Sequence, residues 1–129
     1  MFCFKPVVMI NSTFTQTIKV TKEHTAEYLG SGSLAVFATP AMIALMENTS
    51  MKCLSNIPED STSVGISIQT NHFKASAIGT IIHCTAKISN VEGRRYSFLL
   101  EVNDDDGNLI GEGTHERVVV NIEKFLTRI

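Results

Sequence analysis

The sequence predicts an α+β domain, an antiparallel β-sheet wrapped around one long central helix. Two observations carry that reading. A single convincing helical segment opens at Thr39-Pro40, and beyond it the apolar period switches from 3.6 to 2. The alternating stretches that follow are joined by short turns, Val91-Glu92-Gly93-Arg94 and Asp104-Asp105-Asp106-Gly107-Asn108, which connect neighbouring strands in antiparallel order.

In chain order, Thr13 to Val20 reads as an extended segment and Thr21-Lys22-Glu23-His24 as a turn or short helical start. Gly30-Ser31-Gly32-Ser33 is a flexible loop. Thr39 is a favoured N-cap with Pro40 at the first helical position, and the helix is expected to run to about Ile57, closed by Pro58 and Asp60. Its apolar stripe is Met42, Met46, Cys53, Leu54 and Ile57. In the first strand after it, Val64, Ile66 and Ile68 alternate with Gly65, Ser67 and Gln69, ending near Phe73. Ile82, Cys84, Ala86 and Ile88 mark a second strand, and Tyr96, Phe98, Leu100 and Val102 a third. Ile110 to Ile122 is a long last strand, expected to leave an open edge that a second copy of the chain covers.

A chain of 129 residues is one domain in size. Area scaling leaves about 6,800 Å² accessible of roughly 20,600 Å² unfolded, enough burial for an unaided core. With 43% hydrophobic and 19% charged residues the composition is that of a folded chain. Eleven basic against thirteen acidic residues give a net charge of -2, which offers no broad attraction to nucleic acid. Cys3, Cys53 and Cys84 are too widely spaced for a zinc site and odd in number, as expected of reduced thiols in a cytoplasmic protein. The apolar opening from Met1 to Ile10 lacks a basic n-region and is broken by Lys5 and Pro6, unlike a signal peptide. No apolar run approaches the roughly 18 residues of a membrane span.

Glu47 stands out. Its neighbours three, four and seven residues away on the helix are uncharged, and the apolar stripe lies beside it. Two readings stay open: a carboxylate reaching water from the stripe's edge, or a catalytic acid, base or nucleophile. Counting by twos from Val64 places His72 on the inward face of its strand. There it is either a hydrogen-bonded core histidine or a general acid/base beside Glu47. Thr39 reads first as the helix cap. Eight residues of helix separate it from Glu47 by about 12 Å, so the two meet only if the preceding loop folds back or across subunits. His24 and His83 fall on polar, solvated stretches. His115 and Arg117 share a face of the last strand, with Glu112 and Glu116 as nearby surface ion-pair partners for the arginine. The glycine-serine loop lacks the lysine of a phosphate loop, the aspartate run lacks an EF-hand's closing acid, and no G-x-S-x-G elbow occurs. No metal site is expected.

Several of these residues together resemble a known family. Gly30-Ser31-Gly32-Ser33-Leu34, Ala38-Thr39-Pro40-Ala41-Met42 with Leu45-Met46-Glu47, and Ser63-Val64-Gly65 with His72 are similar to the hotdog-fold thioesterases of the fluoroacetyl-CoA thioesterase-like family. So are Val91-Glu92-Gly93-Arg94-Arg95 and Gly113-Thr114-His115-Glu116-Arg117, leading into Glu123-Lys124-Phe125. The resemblance runs from about Phe14 to Phe125, which implies a hotdog thioesterase-like domain over residues 14–129 and an N-terminal extension without a family counterpart over residues 1–13. It implies a hotdog fold, a homodimer with acyl-CoA sites at the subunit interface, and no cofactor beyond the CoA of the substrate. It places the family's catalytic threonine, glutamate and histidine on Thr39, Glu47 and His72. A glycine beside the thioester falls on Gly65 and a substrate-contacting arginine on Arg117. The expected activity is hydrolysis of a small acyl-CoA. A non-catalytic acyl-CoA-binding hotdog protein and a hotdog hydratase or dehydratase are the rival readings. One departure is visible: the phenylalanine pair that lids the fluoroacetyl-selective enzyme is matched here by Gly30 and Ser33, with no aromatic residue between Tyr28 and Phe37.

Overall fold

The structure, a computed structural model, describes residues 9–55 and 57–129. Most of the expected N-terminal extension, Cys3 included, lies outside the described residues. Five strands form one sheet: β1 (Thr13–Lys19), β2 (Ser61–His72), β3 (Ile81–Glu92), β4 (Arg95–Asp104) and β5 (Leu109–Asn121). Three α-helices accompany them, α1 (Ala26–Leu29), α2 (Thr39–Cys53) and α3 (Ile122–Leu126), with a short 3-10 helix at Lys22–His24. The strand order is β1-β3-β4-β5-β2, with every pair antiparallel.

The sheet wraps α2 because both present apolar faces of matching period. Met42, Leu45, Met46 and Cys53 from the helix, and Leu54 just beyond it, pack with Ile82, Cys84, Ala86 and Ile88 of β3 and Tyr96, Phe98, Leu100 and Val102 of β4. Two polar helix residues are buried as well, Thr49 and Ser50. Each hydroxyl donates to the carbonyl four residues back, Leu45 at 2.7 Å and Met46 at 2.9 Å, so neither is left unsatisfied.

Four features differ from the sequence expectation. First, α2 ends at Cys53 rather than Ile57. Leu54 turns extended and buries its side chain, and its N–H closes on the Met51 carbonyl at 3.2 Å. Second, Thr39 is not the cap; Ala38 occupies that position and Thr39 is the first helical residue. Third, β5 is an interior strand between β4 and β2, so the open edges belong to β1 and β2. Fourth, the chain continues from β5 into α3, where the Asn121 side chain accepts from the Lys124 N–H at 3.0 Å.

A bulge in β2 corrects the expected alternation. Gly65 pairs with Arg117 and Ser67 with Glu116, leaving Ile66 as an extra residue between them. One inserted residue reverses which face each neighbour takes. Ile68, Thr70 and His72 keep the expected inward phase. On the other side of the bulge, Ser63 and Gly65 point inward in place of Val64 and Ile66, and Ile66 is 46% exposed.

Gly111 of β5 passes against α2. A Cβ there would stand 2.6 Å from Met42 Sδ and 2.9 Å from the Asn71 carbonyl oxygen. The methionine can swing away, but the carbonyl belongs to the paired strand. Gly111→Ala is therefore expected to destabilise the fold by about 1–3 kcal/mol, read as a lower urea midpoint; an unchanged midpoint would show that the strand moves freely.

Candidate active site

The helix geometry frees the Thr39 hydroxyl. An N-cap hydroxyl would be engaged by the backbone N–H groups of the first turn. Here Ala38 caps without a side-chain bond, and Thr39 Oγ1 lies 2.9 Å from His72 Nδ1. His72 ends β2 with its ring edge-on to Phe37, centroids 6.0 Å apart. Its other nitrogen, Nε2, is buried and has no hydrogen-bond partner among the described residues. Burial holds the imidazole pKa below its ordinary value, favouring the neutral ring, although a nearby Lys74 carbonyl opposes this. A cavity of about 300 Å³ opens beside the pair, lined in part by Val36, Phe37, Thr39, Pro40, His72 and Phe73.

A second constellation forms two turns along α2. Glu47 has no charged neighbour on its own helix, as the sequence indicates. Its partner comes from β5: Glu47 Oε2 lies 3.8 Å from Arg117 Nη1. The glutamate side chain is 43% exposed, so it opens to solvent on one side. Arg117 is the reverse of a surface residue, only 6% exposed. Its surface expectation fails because β5 is covered by β2 on one side and faces α2. Nε donates to Ser63 Oγ at 2.8 Å, Nη2 to the Ser63 carbonyl at 3.0 Å, and Nη1 to His115 Nε2 at 3.1 Å. Glu116, expected as its partner, pairs instead with Arg95 at 3.5 Å.

Gly65 admits this cluster. A Cβ on it would lie 3.0 Å from Glu47 Oε2, 3.1 Å from His115 Cε1 and 3.3 Å from Arg117 Nη1. The absence of a side chain is what lets carboxylate, guanidinium and imidazole crowd against the backbone at this point.

The two constellations stay apart within one chain. Thr39 and Glu47 are separated by about 12 Å of helix rise. Gly65 and His72 are seven residues apart on one strand, roughly 20 Å or more at the usual rise. His72, expected to look toward Glu47, bonds Thr39 instead.

A family model described as fluoroacetyl-CoA-specific thioesterase matches residues 20–123. The chain belongs to that family. The fluoroacetyl-CoA thioesterase of Streptantibioticus cattleyicolor is 37% identical over 95 residues, 73% of this chain and 68% of that protein. A crystal structure of a point mutant of the fluoroacetyl-CoA-specific thioesterase FlK matches with a TM-score of 0.87 at 30% identity, over 94% of each chain. The same mutant in complex with fluoroacetate and CoA matches at 0.86 and 31%, over 92% of this chain and 99% of that one. A thioesterase superfamily member from Thermus thermophilus, at 24% identity and a TM-score of 0.88 over 97% and 92%, shares the fold. Membership of the thioesterase family carries the hotdog fold and the reaction class, thioester hydrolysis.

In this member of the thioesterase family the loop before α2 is open. Gly30 caps α1 with a left-handed φ of 77°, and Ser31, Ser33 and Leu34 are exposed. A larger groove of about 840 Å³ lies on the far side of the sheet, between Lys87, Leu99, Glu101 and Glu112. Thr39, Glu47 and His72 are not among the residues that line it. Among the described residues no cluster of His, Cys, Asp or Glu could hold a metal ion, and no helix is long and apolar enough to cross a membrane. His24 closes onto the Thr21 N–H at 3.0 Å, and His83 bridges Thr17 and Asp105 on the outer face; both are only partly exposed. Cys84 is an inert thiol, pushed up to about 11 by burial.

Sequence reasoning passed over Ser63 and gave His115 no role. The period-2 face shared by His115 and Arg117 was the available signal; the bulge that brings Ser63 to the arginine has none. Burial also lowers the pKa of His115 from its ordinary value. His72 and His115 therefore accept protons more readily in the unfolded chain, whose histidines titrate near about 6.5. Their contribution is intact above that value and is lost as pH falls below it toward the depressed folded values. The urea midpoint is accordingly expected to drop between about pH 7.5 and about pH 5.5. A midpoint equal at both would contradict the buried, neutral state of these rings.

Proposed function

We propose that the protein hydrolyses the thioester of a small acyl-CoA to the free acid and CoA. Thr39, Glu47 and His72 are the catalytic groups, Gly65 and Arg117 hold the thioester, and two copies of the chain share each site. The observation that carries this reading is the Thr39–His72 pair. The hydroxyl lies one residue past the cap position, which Ala38 holds, and is turned onto an imidazole.

A homodimer supplies the missing half. The open edge strand β2 has twelve residues, and its bulge exposes Ile66. Antiparallel pairing of β2 with its own copy, centred near Ile68 and Gln69, sets Gly65 of one chain across from His72 of the other. Glu47 and Arg117 pack around Gly65, and Thr39 bonds His72, so that register unites both constellations at the interface. It also covers the exposed edge.

In this site Glu47 either removes a proton from the water that attacks the thioester carbonyl carbon, or attacks that carbon itself to give an acyl-glutamate anhydride that water then cleaves to the free acid. The Gly65 N–H meets the developing oxyanion, which a side chain at that position would hold away. Thr39 and His72 bond the carbonyl oxygen and relay the proton released by water to the departing CoA sulfur as the C–S bond breaks, which leaves both groups in their starting state. Water is the only co-reactant. Arg117 is too deeply committed to Ser63 and His115 to reach the phosphates of CoA, so it acts at the thioester, through the Nη1 edge that faces Glu47. With Gly30 and Ser33 in place of an aromatic lid, selectivity for the fluoromethyl group is not part of the proposal.

The test is thiol release from a panel of acyl-CoAs by the parent, Glu47→Ala and His72→Ala. Turnover by the parent and loss in both variants is expected. No turnover on any substrate, with tight CoA-ester binding by calorimetry, would make the protein a binder. Equal rates in all three would remove the site assignment.

A further inference from the structure

His115 is a buried titratable group that the proposed mechanism leaves unused. It is 2% exposed, lies against Phe98 with ring centroids 6.0 Å apart, and pairs across the sheet with Phe98 and Ile68. Both of its ring nitrogens are engaged. Nδ1 is 2.7 Å from the Ser67 carbonyl oxygen, which can only accept, so Nδ1 carries the proton. Nε2 then presents a lone pair to Arg117 Nη1 at 3.1 Å. The same Nη1 faces Glu47 Oε2 at 3.8 Å.

We infer that His115 is a positioning residue. Its neutral, Nδ1-protonated ring fixes the Arg117 guanidinium in the plane from which it orients Glu47, and anchors that plane to the β2 bulge through Ser67. This rests on the proposed role of Glu47.

The geometry excludes simpler uses. The ring has no free nitrogen for substrate, so it is not a proton donor to the reaction. It is not a packing residue alone either, since an apolar ring of its shape would take the donor from the Ser67 carbonyl and would leave buried Arg117 Nη1 without its hydrogen-bond acceptor, with only the 3.8 Å approach to Glu47 remaining. The anchor matters because Ser67 directly follows the bulged Ile66, the point where β2 changes phase and Gly65 is aimed at Glu47. One imidazole thus ties the bulge, the arginine and, through it, the carboxylate. The charged groups facing His115 are Arg117 and Glu116 from β5 and Glu47 from α2. A proton added to Nε2 would meet the guanidinium and remove its acceptor, so the arrangement requires the neutral ring.

Two substitutions divide the ring's functions. His115→Gln places an acceptor near Nε2 and keeps Arg117 partnered. His115→Asn keeps a donor for Ser67 and leaves Nη1 without its acceptor. Thiol-release kinetics should show kcat reduced roughly 10–100-fold in His115→Asn, the range for losing a hydrogen bond to a charged group, with KM little changed. His115→Gln should retain most of the parental kcat. In a Glu47→Gln background, His115→Asn should cost nothing further, because the residue it acts through is already gone. Parental kcat in His115→Asn, or equal losses in both variants, would overturn the positioning role while leaving thioester hydrolysis standing. A parent without turnover would overturn the hydrolase reading and this role with it. The wild-type protein supplies a check independent of variant folding. Long-range ¹H–¹⁵N NMR should find the His115 ring protonated on Nδ1, and an Nε2-protonated ring would contradict the inference.

Discussion

Replacing Glu47 by glutamine is expected to lower kcat for thiol release by about two to four powers of ten, the usual worth of a general base or nucleophilic carboxylate. The change keeps the shape of the side chain and removes its charge. The side chain is 43% exposed and its one charged contact among the described residues is a 3.8 Å approach to Arg117, so little of the fold depends on it. Circular dichroism and the urea midpoint should therefore stay close to those of the parent. Loss of turnover with retained stability separates a reacting group from a structural one. Retained turnover would make Glu47 the solvated carboxylate at the stripe's edge that its sequence also allows.

Gly65→Ala is the complementary change, since it adds a methyl group and removes nothing. The new Cβ would stand 3.0 Å from Glu47 Oε2, 3.1 Å from His115 Cε1 and 3.3 Å from Arg117 Nη1. Gly65 does not have a positive φ, so alanine fits the backbone without strain. The methyl group pushes the carboxylate and guanidinium by a few tenths of an ångström and blocks close approach of the thioester oxygen. Misplacement on that scale is expected to lower kcat by up to about 100-fold. Intact folding with parental kinetics would mean that the carboxylate sits elsewhere when substrate is bound.

The sequence made α2 and the strands legible because their signals are local. Thr39-Pro40 marks the helix start to within one position, and Ile82 through Ile88 and Tyr96 through Val102 alternate without interruption. Three things escaped it for stated physical reasons. A bulge is one unpaired residue, and periodicity counted from Val64 has no means of detecting the change of phase at Ile66. The end of α2 is set by Leu54 entering the core, a tertiary event that overrides the nominal stop at Pro58. Arg117 looked like a surface cation because Glu112 and Glu116 are its sequence neighbours. The Glu47 that actually faces it is seventy residues away in the chain, on another element. The proposed site residues Thr39, Glu47, His72, Gly65 and Arg117 come as a set from family resemblance, and the structure places them in two groups, Thr39 with His72 and Glu47 with Gly65 and Arg117. Their division into two constellations was foreshadowed only by the helix rise between Thr39 and Glu47.

That division is the central claim, and mixed dimers test it directly. Glu47→Gln and His72→Ala chains carrying different affinity tags are co-expressed, and the species bearing both tags is purified. Each variant alone should be inactive. In the mixed dimer, intact His72 of one chain meets intact Glu47 of the other at one of the two interface sites, so about half the parental kcat per dimer should return. A mixed dimer as inactive as either variant alone would contradict a site shared between chains.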